Sequence, residues 1–416
     1  MQIHAIVLPM NDTTRTIGGD AQAAATSFDR LWESLVDIGR DPVTGGYDRI
    51  PWGEADLSCR DWFERQTASR GLAYECDRNG NQWGWWGDPS AAEAVVTGSH
   101  LDSVPQGGAY DGALGVVSAF AAVDLLRERG ARPKRPIAVV SFVEEEGGRF
   151  GYACVGSRLM TGALDPDRAR TLVDADGLTL RDAFRQAGCD PDNLGADLER
   201  LRRIHAFVEV HIEQGRSLVH VDAAIGIASE IWPHGRFRFD FRGEANHAGT
   251  THLADRKDPT LAFAQATLAA RDAAARHAGF ATFGRLRLEP NATNAIPSLL
   301  QAWLDARAPE EEWVRAIVAD TAAVAAVDPE TEVWAPGVVF DEKLRSLLLE
   351  RLGAPMLPSA AGHDAAVLAS AGVPTAMIFV RNETGVSHSP TEHAERADCL
   401  AGIHALATVF ENLACR

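Results

Sequence analysis

Apolar residues recur along this chain with two different periods, and the change between them divides it. From Ser27 the segment SFDRLWESLVDIG sets Phe28, Leu31, Trp32, Leu35 and Ile38 at helical spacing, with Gly39 as a stop. An amphipathic helix is predicted there, and residues 1 to about 26 read as a loose leader before it. Two runs rich in β-branched residues follow, AVVTGSHLDS at 94–103 and PIAVVSFVEEEGG at 136–148, each ending in a polar cluster. Between them GVVSAFAAVDLLRERG has helical character, so the order is strand, helix, strand, with a crossover long enough for parallel pairing. AFVEVHIEQG (206–215) and TAMIFV (375–380) add two strands that again lead into polar residues.

The period shifts after about residue 226. FRFDFRGEA (237–245) alternates apolar with charged side chains, as a half-exposed antiparallel strand does. Asp258 and Pro259 open a helix that Gly279 closes, and LLQAWLDAR (299–307) is a further strand. LRSLLLERLG (344–353) returns to helical spacing. The predicted fold is α/β. A catalytic domain with a mixed, mostly parallel sheet flanked by helices is built from 1–226 and 338–416, and an α+β domain is inserted at 227–337.

Composition narrows the function. At roughly 100 to 200 residues per domain, 416 residues suffice for two or three, and 46% apolar content supports a full core. Forty basic against 58 acidic residues leave a net charge of −18, which repels phosphate backbones and argues against a nucleic-acid partner. The apolar stretch from Gly112 to Val123 falls short of the ~20 residues a bilayer requires, and the N-terminus lacks a signal-like core, so no membrane role is expected. Cys59, Cys76, Cys154, Cys189, Cys399 and Cys415 form no C-x-x-C pair, which suits a reducing cytoplasm rather than a disulfide framework.

The candidate chemistry lies at the ends of the predicted parallel strands, where open α/β sheets gather ligands. Ser99-His100-Leu101-Asp102 ends the first, and nine residues after Asp102 stands Asp111, among glycines that allow close approach. Imidazole and carboxylate suit a divalent metal, and Asp102 is spaced to orient His100. Glu144-Glu145-Glu146 ends the second strand, and three adjacent carboxylates repel one another unless cations or solvent relieve them. His211 lies near the end of the third strand and His388 in GVSHSPTEH. Singly, each histidine is more often a structural residue. Together His100, Asp111, Glu146, His211 and His388 suffice for two ions sharing Asp111, and paired ions supply a nucleophile and polarise a carbonyl.

SHLDSV…GGAYDG, EEGGRFG, HIEQG, NHAGTTH, PNATNAIP…DAR, AGHDA and SHSPTE together resemble, in order, the amidase/hydantoinase–carbamoylase branch of the M20 metallopeptidases. That branch includes allantoate amidohydrolases of purine catabolism, N-carbamoyl-L-amino acid amidohydrolases and β-ureidopropionases. The resemblance spans about 27 to 412 and implies a catalytic domain with an inserted lid through which two chains dimerise. It makes His100 and His211 ligands of one ion, Glu146 and His388 ligands of the other, and Asp111 the bridge, with manganese or zinc, or alternatively cobalt or nickel, as the metal. Glu145 becomes the general base, Asp102 the partner of His100, and Glu144 has no catalytic role.

From the lid, His247 would stabilise the oxyanion across the dimer, while Gln214, Asn294 and Arg307 resemble the residues that hold the substrate's amide and carboxylate. The chemistry agrees: Arg307 can grip a carboxylate in a two-point fork, although an arginine after a strand is more commonly an ion-pair partner. The role of His363-Asp364 is open. His252-Leu253 and Arg381-Asn382 replace the family's Pro-Met and Pro-Ser, departures that bear on substrate choice. Allantoate is the expected substrate, an N-carbamoyl-L-amino acid the alternative, and a dipeptide the more distant one.

Overall fold

The computed structural model describes residues 17–415. By internal contacts the chain forms two compact units. Among the described residues, 17–229, Phe340–Leu357 and 363–415 make the first, and Glu230–Val339 with Pro358–Gly362 the second. In chain order the strands are β1 (Ala73–Cys76), β2 (Gln82–Trp86), β3 (Ala94–His100), β4 (Ile137–Phe142), β5 (Ile204–Ile212) and β6 (Ile225–Ile231). Next come β7 (His234–Arg242), β8 (Asn246–His247), β9 (Phe280–Glu289), β10 (Ala295–Ile296), β11 (Leu299–Arg307) and β12 (Glu330–Ala335). They are followed by β13 (Val338–Val339), β14 (Met356–Ser359) and β15 (Thr375–Val380).

The first unit's sheet runs β1-β2-β4-β3-β5-β15-β6. Its four central strands are parallel, while β1, β2 and β6 pair antiparallel at the flanks. Every residue of β3, β4 and β15 is buried, the composition expected of strands covered on both faces. The β1–β2 hairpin escaped the sequence reading because QWGWW neither alternates nor forms a β-branched run.

One covering layer is the helix Ala113–Glu128, buried continuously from Ala113 to Val123. It packs with the helices Ile17–Leu35 and Arg396–Leu413 around Phe28, Leu31, Phe120, Leu406 and Phe410. The first of these starts well before Ser27. Ala24 and Ala25 are buried, and the alanine-rich segment ahead of Ser27 has high helix propensity, so part of the expected loose leader is helix; residues 1–16 of it lie outside the described residues. Asp124 breaks the apolar run of the Ala113–Glu128 helix without disrupting it, because Arg70 clasps its carboxylate at 2.9 and 2.7 Å and Ser27 donates to it at 2.6 Å. Among the described residues no helix is long and apolar enough to cross a membrane.

The second unit is a four-stranded antiparallel sheet, β12-β7-β11-β9. Burial alternates along β7 and β11, so Phe237, Phe239, Phe241, Leu300 and Leu304 face inward while Arg238 and Asp240 point outward. The helices Pro259–Arg276 and Glu311–Ala325 cover that apolar face. Asp258 accepts the Thr260 N–H at 2.9 Å and Pro259 occupies the first turn, as predicted. The exit differs: Ala278 takes the left-handed conformation, and Gly279 is small because a Cβ there would lie 2.4 Å from the Arg307 carbonyl oxygen.

Replacing Asp124 with alanine leaves the buried Arg70 guanidinium without its two-point partner. The expected loss is about 2 to 3 kcal/mol of stability, measured as a lower midpoint of chemical denaturation.

Candidate metal centre

Strand register assembles the centre. On β3 and β5, Thr97 pairs with Val208, so three residues further on His100 and His211 stand level, their ring centroids 5.9 Å apart. On β4, Phe142 pairs with His100, which delivers Glu144–Glu146 to the same end of the sheet. On β15, Phe379 pairs with His211, so the chain beyond Val380 returns there with His388.

Each strand histidine is oriented by a backbone carbonyl. His100 Nδ1 lies 3.0 Å from the Asp102 carbonyl oxygen and His211 Nδ1 lies 2.9 Å from that of Ile212. Assigning the proton to Nδ1 in both rings leaves Nε2 as the lone-pair nitrogen. Those Nε2 atoms approach Asp111 Oδ1 at 3.5 and 3.2 Å without forming a well-aligned hydrogen bond. The other oxygen, Asp111 Oδ2, lies 3.4 Å from His388 Nε2, which is also 3.4 Å from Glu146 Oε2. Two groups of donors therefore meet at Asp111: His100, Asp111 and His211 on one side, Asp111, Glu146 and His388 on the other, each with ligand atoms within 4.8 Å of one another.

The expectation for Asp102 needs refining. Its carbonyl, rather than its carboxylate, is the close partner of His100; the carboxylate accepts the N–H groups of Glu145 (3.3 Å) and Glu146 (3.2 Å) and so shapes the acidic turn. Glu144 caps the next turn through the N–H groups of Arg149 and Phe150. Glu145 is buried, with Oε2 3.7 Å from His100 Nε2 and Oε1 3.6 Å from the Cys154 thiol. Glu144 and His388 both have positive φ, strain of the kind concentrated at functional sites. Gln214 is also present, donating to Asp111 Oδ2 at 2.8 Å and to Ser387 Oγ at 3.2 Å.

His247, Asn294 and Arg307 belong to the second unit. β8 and β10 pair His247 with Ala295, which sets Asn294 beside it, and Asn294 accepts the Ala248 N–H. His247 Nδ1 accepts from Gly249 and Thr250, so its proton resides on the exposed Nε2. Arg307 already spends its fork on Asp305, at 2.7 and 3.0 Å, and a further N–H on the Ala360 carbonyl.

Sequence reasoning missed Glu209, Glu392 and a partner for His363. Glu209, His211 and His363 present ligand atoms within 4.8 Å of one another, and Ser99 Oγ donates to Glu209 at 2.6 Å. The i, i+2 spacing of Glu209 and His211 on one strand face was the available signal. Of the departures, Asn382 accepts from Thr384 and Gly385 and donates to the Val386 carbonyl, which shapes the loop carrying His388. Leu253 is exposed.

Burial holds the Glu145 and Glu146 carboxyls well above the usual carboxylate range, and neighbouring acids push the same way. Burial and Asp102 raise Glu144 to about 8. Asp111 moves oppositely: burial opposes its charge, but His100 and His211 hold it well below the usual range. Both rings are raised in turn, burial being outweighed by the carboxylates around them. Among the described residues no lysine or arginine forms an ion pair with Asp111, Glu145 or Glu146. The buried His100 Nε2, His211 Nε2 and Glu146 Oε1 also lack hydrogen-bond partners. Nitrogen and oxygen donors, crowded acids and these buried atoms fit divalent cations.

A parallel-centred α/β sheet that gathers acid–histidine donor groups at its strand ends defines a candidate metal centre of the α/β class. Residues 96–412 match the family described as peptidase family M20/M25/M40, and the chain belongs to that family. It is 36% identical to the N-carbamoyl-L-amino acid amidohydrolase of Geobacillus stearothermophilus over 91% of this chain and 96% of that one. Identity to the allantoate amidohydrolase of Escherichia coli (strain K12) is 32%, with the same coverage. The crystal structure of an amidase of the hydantoinase/carbamoylase family from Burkholderia vietnamiensis superposes with a TM-score of 0.84 at 30% identity, covering 94% of this chain and 98% of that one. The chain is thus an amide-bond hydrolase of the hydantoinase/carbamoylase type.

Gly112 has φ +65°, and a Cβ there would lie 2.5 Å from the His100 ring. Gly112→Ala is expected to displace that ring and weaken binding of added manganese or cobalt on the order of tenfold or more, read by calorimetric titration.

Proposed function

We propose that this chain is a dinuclear metal-dependent amidohydrolase that cleaves the C–N bond of a ureido group on a small carboxylate-bearing substrate, allantoate foremost. The observation that carries the reading is the division of Asp111, with one oxygen toward His100 and His211 and the other toward His388. His100 and His211 would hold one ion, Glu146 and His388 the other, and Asp111 both. Bound there, manganese or zinc polarises the ureido carbonyl and makes water acidic enough to deprotonate near neutral pH.

The chain's own groups supply the remainder. Glu145 takes the proton of the attacking water and passes it to the departing nitrogen. The exposed Nε2–H of His247, supplied from a second chain, donates to the oxyanion. Gln214 and Asn294 hold the substrate's amide. Arg307 attracts its carboxylate: Arg307 and Arg236 share the single carboxylate of Asp305, leaving the cluster one net positive charge. Loss of an N-carbamoyl group releases the amine, carbon dioxide and ammonia.

The homodimer would form through the second unit, where β9 is an edge strand with exposed Phe280 and Leu286, and where Leu261 and Leu268 are exposed on the Pro259–Arg276 helix. A small-molecule substrate and a cytoplasmic setting complete the reading. An N-carbamoyl-L-amino acid is the second candidate substrate, favoured by the 36% identity to an enzyme of that name.

After reconstitution with manganese or zinc, ammonia release is expected from allantoate, with N-carbamoyl-L-amino acids and dipeptides as the comparison and free amine followed alongside; free amine from dipeptides alone, with no ammonia from either ureido substrate, would overturn the ureido reading. Chelation should abolish turnover and added metal restore it. Glu145→Gln should keep its bound metal while kcat falls on the order of 10²- to 10⁴-fold; undiminished turnover would remove Glu145 as the base.

A further inference from the structure

Glu392 is a buried carboxylate, 4% exposed, that belongs to neither donor group yet touches the segments carrying both. Its Oε2 accepts the N–H of Tyr110 at 2.8 Å and that of Asp111 itself at 2.9 Å. Its Oε1 lies 3.2 Å from Ser387 Oγ, and that hydroxyl lies 3.2 Å from Asp111 Oδ2. The approach depends on Gly108, where a Cβ would fall 2.2 Å from Glu392 Oε2. The Asp111 loop is held on its other side by Tyr110, whose ring stacks on Trp32 at 4.6 Å.

Glu392 follows His388 by four residues, within the loop that His388 occupies. Two acceptor contacts to the Tyr110–Asp111 backbone therefore tie the His388 loop to the Asp111 loop, beside the Ser387–Asp111 hydrogen bond and the Tyr110–His393 ring contact. One carboxylate oxygen accepts both N–H groups, so the two loops share a single acceptor atom. His100 and His211 need no such tie, because strand register already sets them level. The two donor groups thus differ in how they are held: one by the sheet, the other by a loop-to-loop clasp.

We propose that Glu392 is a positioning residue that fixes the spacing between Asp111 and His388, and thereby sets the affinity of the ion shared by Asp111, Glu146 and His388. The role rests on the dinuclear reading above. A loop staple of purely structural importance would lower stability and treat both ions alike. A positioning role weakens the ion held with His388 more than the ion that also keeps His100 and His211 on the sheet.

The test is calorimetric titration of metal-free wild type and Glu392→Gln with cobalt(II), together with the cobalt visible spectrum and thermal melting of the metal-free proteins. Glutamine keeps the shape but puts an NH2 donor where one accepting oxygen stood. Wild type should bind two ions. Glu392→Gln should bind one with affinity within a few-fold of wild type and the other on the order of 10- to 100-fold more weakly, with an altered spectrum for the second equivalent and a melting temperature near that of wild type. Unchanged affinities, or equal weakening at both sites, would overturn the role of Glu392 and leave the dinuclear reading intact. Wild type that binds fewer than two ions would overturn the dinuclear reading and this role with it. Should Glu392→Gln fail to fold, Ser387→Ala decides: a smaller loss confined to the second ion supports the clasp, and unaltered binding refutes it.

Discussion

The centre depends on the in-register alignment of four parallel strands. β4, β3, β5 and β15 all point the same way, so whatever follows their last residues must share one edge of the sheet. His100 and His211 become neighbours because residues three positions earlier are hydrogen-bonded partners, although more than a hundred residues separate them in sequence. A shift of one residue in that register would turn a ring to the opposite face. Burial of β3, β4 and β15 on both faces opposes the shift, since every side chain has a fixed place in the core.

That alignment concentrates negative charge where water is scarce, and the surrounding backbone makes the concentration tolerable. Asp102 accepts from Glu145 and Glu146, Glu144 from Arg149 and Phe150, Glu392 from Tyr110 and Asp111, and Glu209 from Ala365. Asp102, Glu144 and Glu392, outside the donor groups, thus spend oxygens on peptide N–H groups and fix loop shape, and Glu209 divides its oxygens between Ser99 and the Ala365 N–H. Asp111 differs. Its oxygens face imidazoles, a serine hydroxyl and an amide, groups that a cation can displace or use as co-ligands. The distinction between structural and ligand-like acids therefore lies in the partner of each oxygen, not in burial.

Much of this was legible in the chain itself. HLD, EEE and EVHIEQ end hydrophobic runs, and the arrest of an apolar strand by titratable residues marks the carboxyl edge of an α/β sheet. The alternation of FRFDFR foretold an antiparallel sheet with one apolar face, as β7 has. What escaped was tertiary. Nothing in DRNGNQWGWW separates a hairpin from a loop without its antiparallel neighbour β4, and nothing in SHSPTEH says that Glu392 reaches the Asp111 backbone. The roles of Asp102 were assigned by spacing, which places a side chain near a histidine but cannot tell a carbonyl from a carboxylate as the partner.

The centre and the substrate selector obey different constraints. Allantoate and N-carbamoyl-L-amino acids share the ureido carbonyl, so a donor set acting on that carbonyl carries no information about which is preferred. Discrimination must come from groups that meet the remainder of the substrate. In the second unit, Arg307 and Arg236 divide one carboxylate, while burial and Arg307 push the neighbouring His234 down to about 4, keeping it neutral at physiological pH. The cluster's surplus is therefore a single positive charge, delocalised over two guanidiniums. The second unit's surplus is positive where the donor groups of the first are crowded with acids, so the two carry opposite electrostatic characters.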